Sequence, residues 1–278
     1  MLLTRVITAV AMMPVVLGML FLAGKELWSL FALAIVLLAC WEWSRLSGLS
    51  HGAQSAYLAA SGAIGGYVWL LYLQRVPGDF GAAAMTAFII AAAFWIFAAP
   101  SWLAAKLRPS ASICAVAGWI VAWPTWFALV ALRDASPWLL LALAALVWVA
   151  DISAYFAGKR FGKRKLAPAV SPGKTWEGVA GALVGVAIYG AILCWAAARW
   201  DDALTPLFAF ANGVPAIVAM LGLTAVSIIG DLFESWMKRG AGMKDSSNLL
   251  PGHGGILDRV DALTSSLPVA ALAIYLSR

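Results

Sequence analysis

Long apolar runs, separated by short polar connections, occupy most of this 278-residue chain. Runs of about 18 residues or more recur along the chain, and each of these is long enough for an α-helix to cross the ~30 Å hydrocarbon core of a bilayer. Backbone polar groups in lipid must be satisfied within the segment, so these runs predict helices; the short alternating segments of a membrane barrel do not occur. We predict nine spanning helices, at about residues 6–23, 27–44, 56–73, 82–99, 112–132, 137–157, 177–198, 210–230 and 262–277.

The composition supports this class of protein. Hydrophobic residues make up 63% of the chain and charged residues 12%, whereas a soluble domain has roughly half and a quarter. No linker or low-complexity tract divides the sequence. We therefore predict a single all-α, polytopic membrane domain over residues 1–278, with two polar segments at 151–178 and 231–261.

The distribution of basic residues predicts how the helices are oriented. With the N-terminus in the cytoplasm, the opposite side carries only five of the 19 lysines and arginines: Lys25, Arg75, Arg133, Arg199 and Arg278. Cytoplasmic connections carry the excess of positive charge. We thus expect a multi-pass protein of a bacterial-type inner membrane, with both polar segments facing the cytoplasm. The net charge of +6 is then explained by topology and membrane lipids, and no nucleic-acid partner is expected.

The first polar segment places charged and phosphate-binding residue types close to a helix end. Asp151 follows the apolar run 137–150, where a carboxylate is costly unless it faces protein or water. The pair Ser171-Pro172 suits the start of the next helix, and helix N-termini bind phosphate. Lys174 would add a positive charge, and Glu177 would lie in the first turn.

The second polar segment carries carboxylates at helical spacing. Asp231, Glu234 and Ser235 are at i, i+3 and i+4, so a helix puts them on one face. Asp258 and Asp261, also i and i+3, begin the last predicted span. Two such helix ends on one membrane face can meet around a divalent cation, and Mg²⁺ typically takes one or two carboxylates with water and substrate phosphates.

Between these carboxylates lies a glycine-rich stretch, Pro251-Gly252-His253-Gly254-Gly255, whose backbone can approach a ligand closely. The neighbouring cations can compensate phosphate charge; they are Lys238, Arg239, Lys244 and Arg259. Outside the two segments, Glu42 lies between two tryptophans at the end of a span. It is either a carboxylate reaching the interface or an indirect partner of the site.

Two short motifs point to soluble enzymes but lack the structural context. Gly48-Leu49-Ser50-His51-Gly52 matches the nucleophile elbow of serine hydrolases, which requires a strand before it and a helix after it. Pro172-Gly173-Lys174-Thr175 is similar to the end of a phosphate-binding P-loop, but Pro168 replaces the first glycine of that motif. We interpret both as connections between helices.

The stretch Ser235–Asp261 resembles the signature of the phosphatidate cytidylyltransferases, also called CDP-diacylglycerol synthases. The matching pattern is Ser-x-apolar-Lys-Arg, four residues, Lys-Asp, and then Pro-x-His-Gly-Gly-apolar-x-Asp-Arg-apolar-Asp. The segment 151–178 resembles the second polar region of the family at Asp151, Ala154-Tyr155, Gly158, Ser171-Pro172, Lys174-Thr175 and Glu177-Gly178.

This resemblance implies an enzyme that transfers CMP from CTP to phosphatidic acid. It also implies that the reaction uses Mg²⁺, with a monovalent cation such as K⁺ as a further candidate, and that the protein is a homodimer. We assign catalytic roles to Asp231, Asp258, Lys238, Arg239, Lys244 and Arg259. We assign substrate binding to Ser171, Lys174, Glu177, Ser235, Asp245, His253, Gly254 and Gly255. The candidate metal ligands are Asp231 and Asp258 first, then Asp261 and Asp151.

Two other functions remain open at this point. A CTP-dependent lipid or polyprenol kinase would also use CTP but would release CDP and not pyrophosphate. A membrane transporter is the non-enzymatic alternative, although transporter sites lie near the bilayer midplane and the ionisable residues here gather at one face.

Overall fold

The computed structural model describes residues 2–74, 79–105, 108–197 and 213–276. Its helices are α1 Leu2–Leu22, α2 Lys25–Leu46, α3 His51–Gln74, α4 Asp79–Ala93, α5 Ala99–Ala105, α6 Ala111–Ala135, α7 Pro137–Phe161, α8 Trp176–Ala197, α9 Val214–Gly240 and α10 Leu257–Leu276. A five-residue π-helix, Phe94–Ala98, joins α4 to α5, and two strands, β1 Lys165–Ala167 and β2 Ser171–Thr175, precede α8.

The helices match the predicted spans. Within the described ranges, eight helices are long and apolar enough to cross a membrane, and Val10–Leu22 of α1 is a shorter apolar helix. Each of the nine predicted spans overlaps one of these helices, so the prediction of an all-α polytopic membrane protein is confirmed. The predicted ends at 198, 210–212 and 277 lie outside the described residues. The side on which the N-terminus lies stays a prediction.

The structure differs from the sequence prediction in two places. The segment before α8 forms an antiparallel hairpin in which Lys165 faces Thr175 and Ala167 faces Ser171, so α8 begins at Trp176 and not at Ser171. The eighth span does not end at residue 230, because α9 continues to Gly240. Short, locally polar segments carry no hydropathy signal that would separate a hairpin or a helix extension from a loop.

An aromatic cluster fixes the rotation of α9 at its polar end. Phe233 is fully buried and packs against rings from three other segments and its own helix. These rings are Trp43, Phe94, Trp95, Trp102 and Trp236. Aromatic side chains of this size dominate packing energetics, so Phe233 determines which face of α9 points inward and which carries Asp231 towards its neighbours.

Candidate active site

Small residues bring α7 and α8 close together beside the first polar segment. A Cβ added at Gly178 would lie 3.0 Å from the Ala154 carbonyl oxygen, and one at Gly181 would overlap the Ala157 side chain. A Cβ at Gly185 would similarly overlap Ser153. Close backbone approach through small residues is the usual packing of membrane helices. It holds the end of α7, with Asp151, against the base of the hairpin.

The hairpin is tied down by the first turn of α8. The Glu177 carboxylate accepts hydrogen bonds from the backbone amides of Lys163, at 3.1 Å, and Arg164, at 3.2 Å. Thr175 Oγ1 accepts from the Gly178 amide at 3.1 Å, as a helix cap does. Glu177, predicted to bind substrate, therefore holds the hairpin in place.

A cavity of about 460 Å³ opens between α7, the hairpin, α8 and α9. Its polar lining comes from the two polar segments and includes Asp151, Lys159, Ser171, Lys174, Thr175 and Asp231. Its apolar lining includes Ala150, Ala154, Val179, Ala182 and Ile228. The structure thus brings together predicted residues that are up to 80 positions apart, in a space that combines charge with an apolar wall.

Charges within this cavity are paired but accessible. Lys174 Nζ lies 2.5 Å from Asp231 Oδ2, and the two side chains remain 25% and 27% exposed. Asp151 lies close enough to interact electrostatically with both members of this pair. An exposed ion pair contributes little to stability, so both side chains can exchange partners when a charged ligand enters.

Gly230 brings Asp231 to the start of α10. A Cβ at this position would lie 2.9 Å from the Ser265 Cβ and 3.0 Å from the Asp261 carbonyl oxygen. The carboxylate of Asp261 accordingly interacts electrostatically with Asp231. Ser235, one turn after Asp231, donates a long 3.4 Å hydrogen bond to its Oδ1.

The remaining predicted carboxylate, Asp258, is surrounded by donors. Its Oδ1 accepts from Lys238 Nζ at 2.6 Å. Its Oδ2 accepts from the Ser246 amide and hydroxyl, both at 2.9 Å, and from the Gly255 amide at 2.8 Å. Lys238 also pairs with Glu234, one turn earlier on α9. Lys238 and Asp258 therefore hold each other and the following loop.

The α9–α10 loop, residues 241–256, carries the glycine-rich stretch. Gly254 has a φ of +84°, and a Cβ there would lie 2.7 Å from Asp258 Oδ2. At Gly255 a Cβ would overlap Ser246 Oγ and lie 2.7 Å from Glu42 Cδ. Both positions require glycine because the loop backbone packs directly on these carboxylates.

The other predicted residues surround this loop. Arg239 donates to the Val170 carbonyl at 3.4 Å and so links the end of α9 to the hairpin. Lys244, Asp245 and Arg259 are exposed. His253 has a buried Nδ1 that makes no hydrogen bond among the described residues.

The predicted metal ligands do not form one protein cage. Within the described ranges, no three His, Cys, Asp or Glu side chains are grouped so that they could hold an ion by themselves. Mg²⁺ needs only one or two carboxylates when water and substrate phosphates complete its shell. Asp231 meets this condition, because its accessible carboxylate faces the cavity and already attracts one cation, the Lys174 ammonium. The residues present therefore fit a magnesium ion shared with substrate.

Three contributors were missed or left undecided by sequence reasoning. Gly230 has no signal of its own within an apolar helix. Arg108 donates to the carbonyls of Leu46 and Gly240, which end α2 and α9, although its sequence context indicates only a basic connection. Glu42, which had two interpretations, is fully buried and contacts the α9–α10 loop. The interpretation as an interfacial carboxylate is therefore wrong.

Known proteins resemble this chain over nearly its full length. Residues 3–277 match the model of the Cytidylyltransferase family. The phosphatidate cytidylyltransferase of Pseudomonas aeruginosa is 39% identical over 98% of this chain and 96% of its own length. Those of Haemophilus influenzae and Brucella abortus are 34% and 36% identical, over 95% and 98% of this chain and 95% and 92% of their own lengths.

Proposed function

Because the chain belongs to the Cytidylyltransferase family, we propose that it transfers CMP from CTP to phosphatidic acid and produces CDP-diacylglycerol and pyrophosphate for phospholipid biosynthesis. The observation that carries this proposal is the open cavity lined by Asp151, Ser171, Lys174 and Asp231 together with an apolar wall. A substrate pair made of a polyanion and a lipid needs both kinds of surface.

The reaction is a displacement at phosphorus. An oxygen of the phosphatidate phosphate attacks the α-phosphorus of CTP, the new P–O bond forms, and the bond to the bridging β-phosphate oxygen breaks so that pyrophosphate leaves. The nucleophile is already an anionic oxygen, and it needs no strong base. The barrier lies in bringing two polyanions together, which positioning and fixed positive charge lower.

Lys174 is the residue best placed to supply that charge. Its ammonium lies at the cavity and is held by one accessible carboxylate, so a phosphate can take over the contact. Lys244 and Arg259, exposed beside the α9–α10 loop, are candidates for the outer phosphates. Ser171 lines the same cavity and can donate its hydroxyl to a phosphate oxygen.

A Mg²⁺ ion would be held by Asp231, with Asp261 and Asp151 as the nearest further carboxylates. When bound, it would neutralise phosphate charge at the reacting centre. Asp258 ranks behind these residues as a ligand, because its side chain is buried and both of its oxygens already accept hydrogen bonds. A monovalent cation such as K⁺ remains an additional candidate with no site assigned to it.

We further propose that the protein resides in a bacterial inner membrane as a homodimer, with the cavity facing the cytoplasm. The bacterial relatives and the excess of basic residues on one side support the location and orientation. The dimer rests on the family resemblance. Chemical cross-linking of the purified protein in lipid nanodiscs, read by mass, would test it.

The proposed reaction is tested with purified protein, α-labelled CTP, Mg²⁺ and phosphatidic acid in detergent micelles. We expect label in a liponucleotide and release of pyrophosphate. Release of CDP with an unlabelled phosphorylated lipid would indicate the kinase alternative. Absence of any CTP turnover, with labelled solute crossing proteoliposomes, would indicate a transporter.

A further inference from the structure

Glu42 is a fully buried carboxylate at the polar end of α2, where it receives four hydrogen bonds. Its Oε1 accepts from Ser247 Oγ at 2.5 Å and from the Ile256 amide at 3.0 Å. Its Oε2 accepts from Ser246 Oγ at 3.0 Å and from the Leu257 amide at 2.6 Å. Each oxygen thus receives one hydroxyl and one backbone amide. A buried carboxylate persists only when it is satisfied in this way.

The four donors come from the two ends of one loop segment. Ser246 and Ser247 precede the glycine-rich stretch, while Ile256, the last loop residue, and Leu257, the first residue of α10, follow it. The Glu42 carboxylate therefore joins the two ends of this segment, although it lies more than 200 residues away from them in the sequence. The free amides at the start of a helix also favour a negative charge there.

The same network leads towards the proposed reaction. The Ser246 hydroxyl lies within hydrogen-bond distance of both Glu42 Oε2 and Asp258 Oδ2 and shares its single proton between them. Asp258 in turn pairs with Lys238. The closed segment holds His253, Gly254 and Gly255, which we assign to substrate. Glu42 does not line the cavity between α7, α8 and α9. It is thus suited to act through the loop and not on the substrate directly.

We propose that Glu42 is a positioning residue that holds the α9–α10 loop in the geometry required for CTP binding and CMP transfer. This proposal rests on the proposed function. Within the part of the chain that the structure describes, no cation pairs with Glu42, and its hydrogen bonds come from the loop and from the first residue of α10. An amide in its place would direct an NH₂ group against one backbone N–H, which cannot accept, and would lose at least that hydrogen bond and leave two donors facing each other.

The test compares Glu42→Gln with Glu26→Gln, an exposed first-turn carboxylate of the same helix. For Glu42→Gln we expect kcat/KM for CTP to fall about 30-fold or more, as loss of a supporting group typically does. The KM for phosphatidic acid should stay within about twofold of the value for the unmodified protein, since the substitution does not change how that substrate binds. Hydrogen exchange at residues 246–257 should accelerate while α6 and α7 keep their protection.

A double-mutant cycle separates positioning from general destabilisation. Ser247→Ala alone should cost about threefold to tenfold in kcat/KM for CTP, as one hydrogen bond does. In the double variant with Glu42→Gln the losses should not add, because both changes remove the same contact. Additive losses, exchange that accelerates throughout the helices, or a fully active Glu42→Gln enzyme would each overturn the proposal.

Two further outcomes are decided by the same samples. If Glu42→Gln does not fold, Ser247→Ala must still show faster exchange confined to the loop together with lower turnover. Normal exchange and normal turnover in that variant overturn the proposal. If the unmodified protein and Glu26→Gln both fail to form liponucleotide, the proposed function is wrong, while the exchange data still decide whether Glu42 holds the loop.

Discussion

Two carboxylate clusters lie at the polar end of this protein, and they differ in how well they are satisfied. The hairpin cluster, Asp151, Lys174 and Asp231, lines an open cavity and holds one accessible ion pair. The loop cluster, Glu42, Ser246 and Asp258, is buried, and hydrogen bonds from Ser246 connect its two carboxylates. Unsatisfied, accessible charge is available to a ligand, whereas saturated, buried charge stabilises geometry. Similar residue types therefore serve two different purposes.

The two lysines show the same contrast. Lys174 pairs with a single carboxylate at the cavity wall. Lys238 lies between Glu234 and Asp258, and its side chain is only 12% exposed. A cation held by two buried carboxylates is poorly available to phosphate. The sequence predicted a phosphate-binding role for both residues; the geometry supports it for Lys174 and favours a structural role for Lys238.

The largest expected effect comes from neutralising one carboxylate in each cluster. Asp231→Asn should lower CMP transfer about 1,000-fold, or ~4 kcal/mol of transition-state stabilisation, with an unchanged unfolding midpoint in detergent. Asp258→Asn should lower both activity and stability, the latter by about 3 kcal/mol, because it breaks a buried ion pair. Activity assays and thermal unfolding of both variants measure this. Equal stability of the two variants would remove the distinction between the clusters.

Removing the accessible cation should give the next largest effect. Lys174→Ala should reduce turnover about 100-fold, or ~2.7 kcal/mol, with little change in stability because an exposed pair contributes little. Lys174→Arg retains the charge and is the matched control, from which we expect partial activity. Initial rates at saturating CTP are measured for both variants. A normal rate for Lys174→Ala would exclude the hairpin cluster as the reaction site.

The close packing of α9 on α10 beside the hairpin cluster is tested at Gly230. Gly230→Ala should destabilise the protein by about 1–3 kcal/mol through overpacking and reduce activity about tenfold by moving Asp231 away from Asp261. Gly222→Ala is the control, since a Cβ at Gly222 meets no atom within 4 Å. The two variants are compared by the midpoint of thermal unfolding and by the rate of CMP transfer. Similar behaviour of the two variants would show that the spacing of α9 and α10 is not critical.

The smallest effect is expected at the base of the hairpin. Glu177→Gln weakens the hydrogen bonds from the Lys163 and Arg164 amides, because a neutral amide oxygen is a poorer acceptor than a carboxylate. We expect about a threefold loss of activity and faster proteolysis within residues 162–175. Glu26→Gln, the equivalent first-turn carboxylate of α2, should change neither. Unchanged cleavage in Glu177→Gln would mean that the hairpin is held by its strand pairing alone.

Local patterns along the chain were enough to predict the class of protein and the chemistry of its polar residues. Hydropathy identifies spanning helices because membrane thickness imposes a length that a local window can measure. The placement of Asp231, Glu234 and Ser235 on one face was also predictable, because helical spacing is local. The signature around the α9–α10 loop named the family that the full-length comparison then confirmed.

Which of these charged groups are accessible to a ligand, and which are saturated by hydrogen bonds, depends on how distant segments pack together. Asp231 and Asp258 are both aspartates near a helix end, yet one faces a cavity and the other accepts four hydrogen bonds. The difference arises from contacts between distant segments, such as Glu42 with Leu257, 215 residues apart, and Gly230 with Ser265. Local sequence patterns carry no record of such contacts, because satisfaction of a buried charge depends on every group that packs around it.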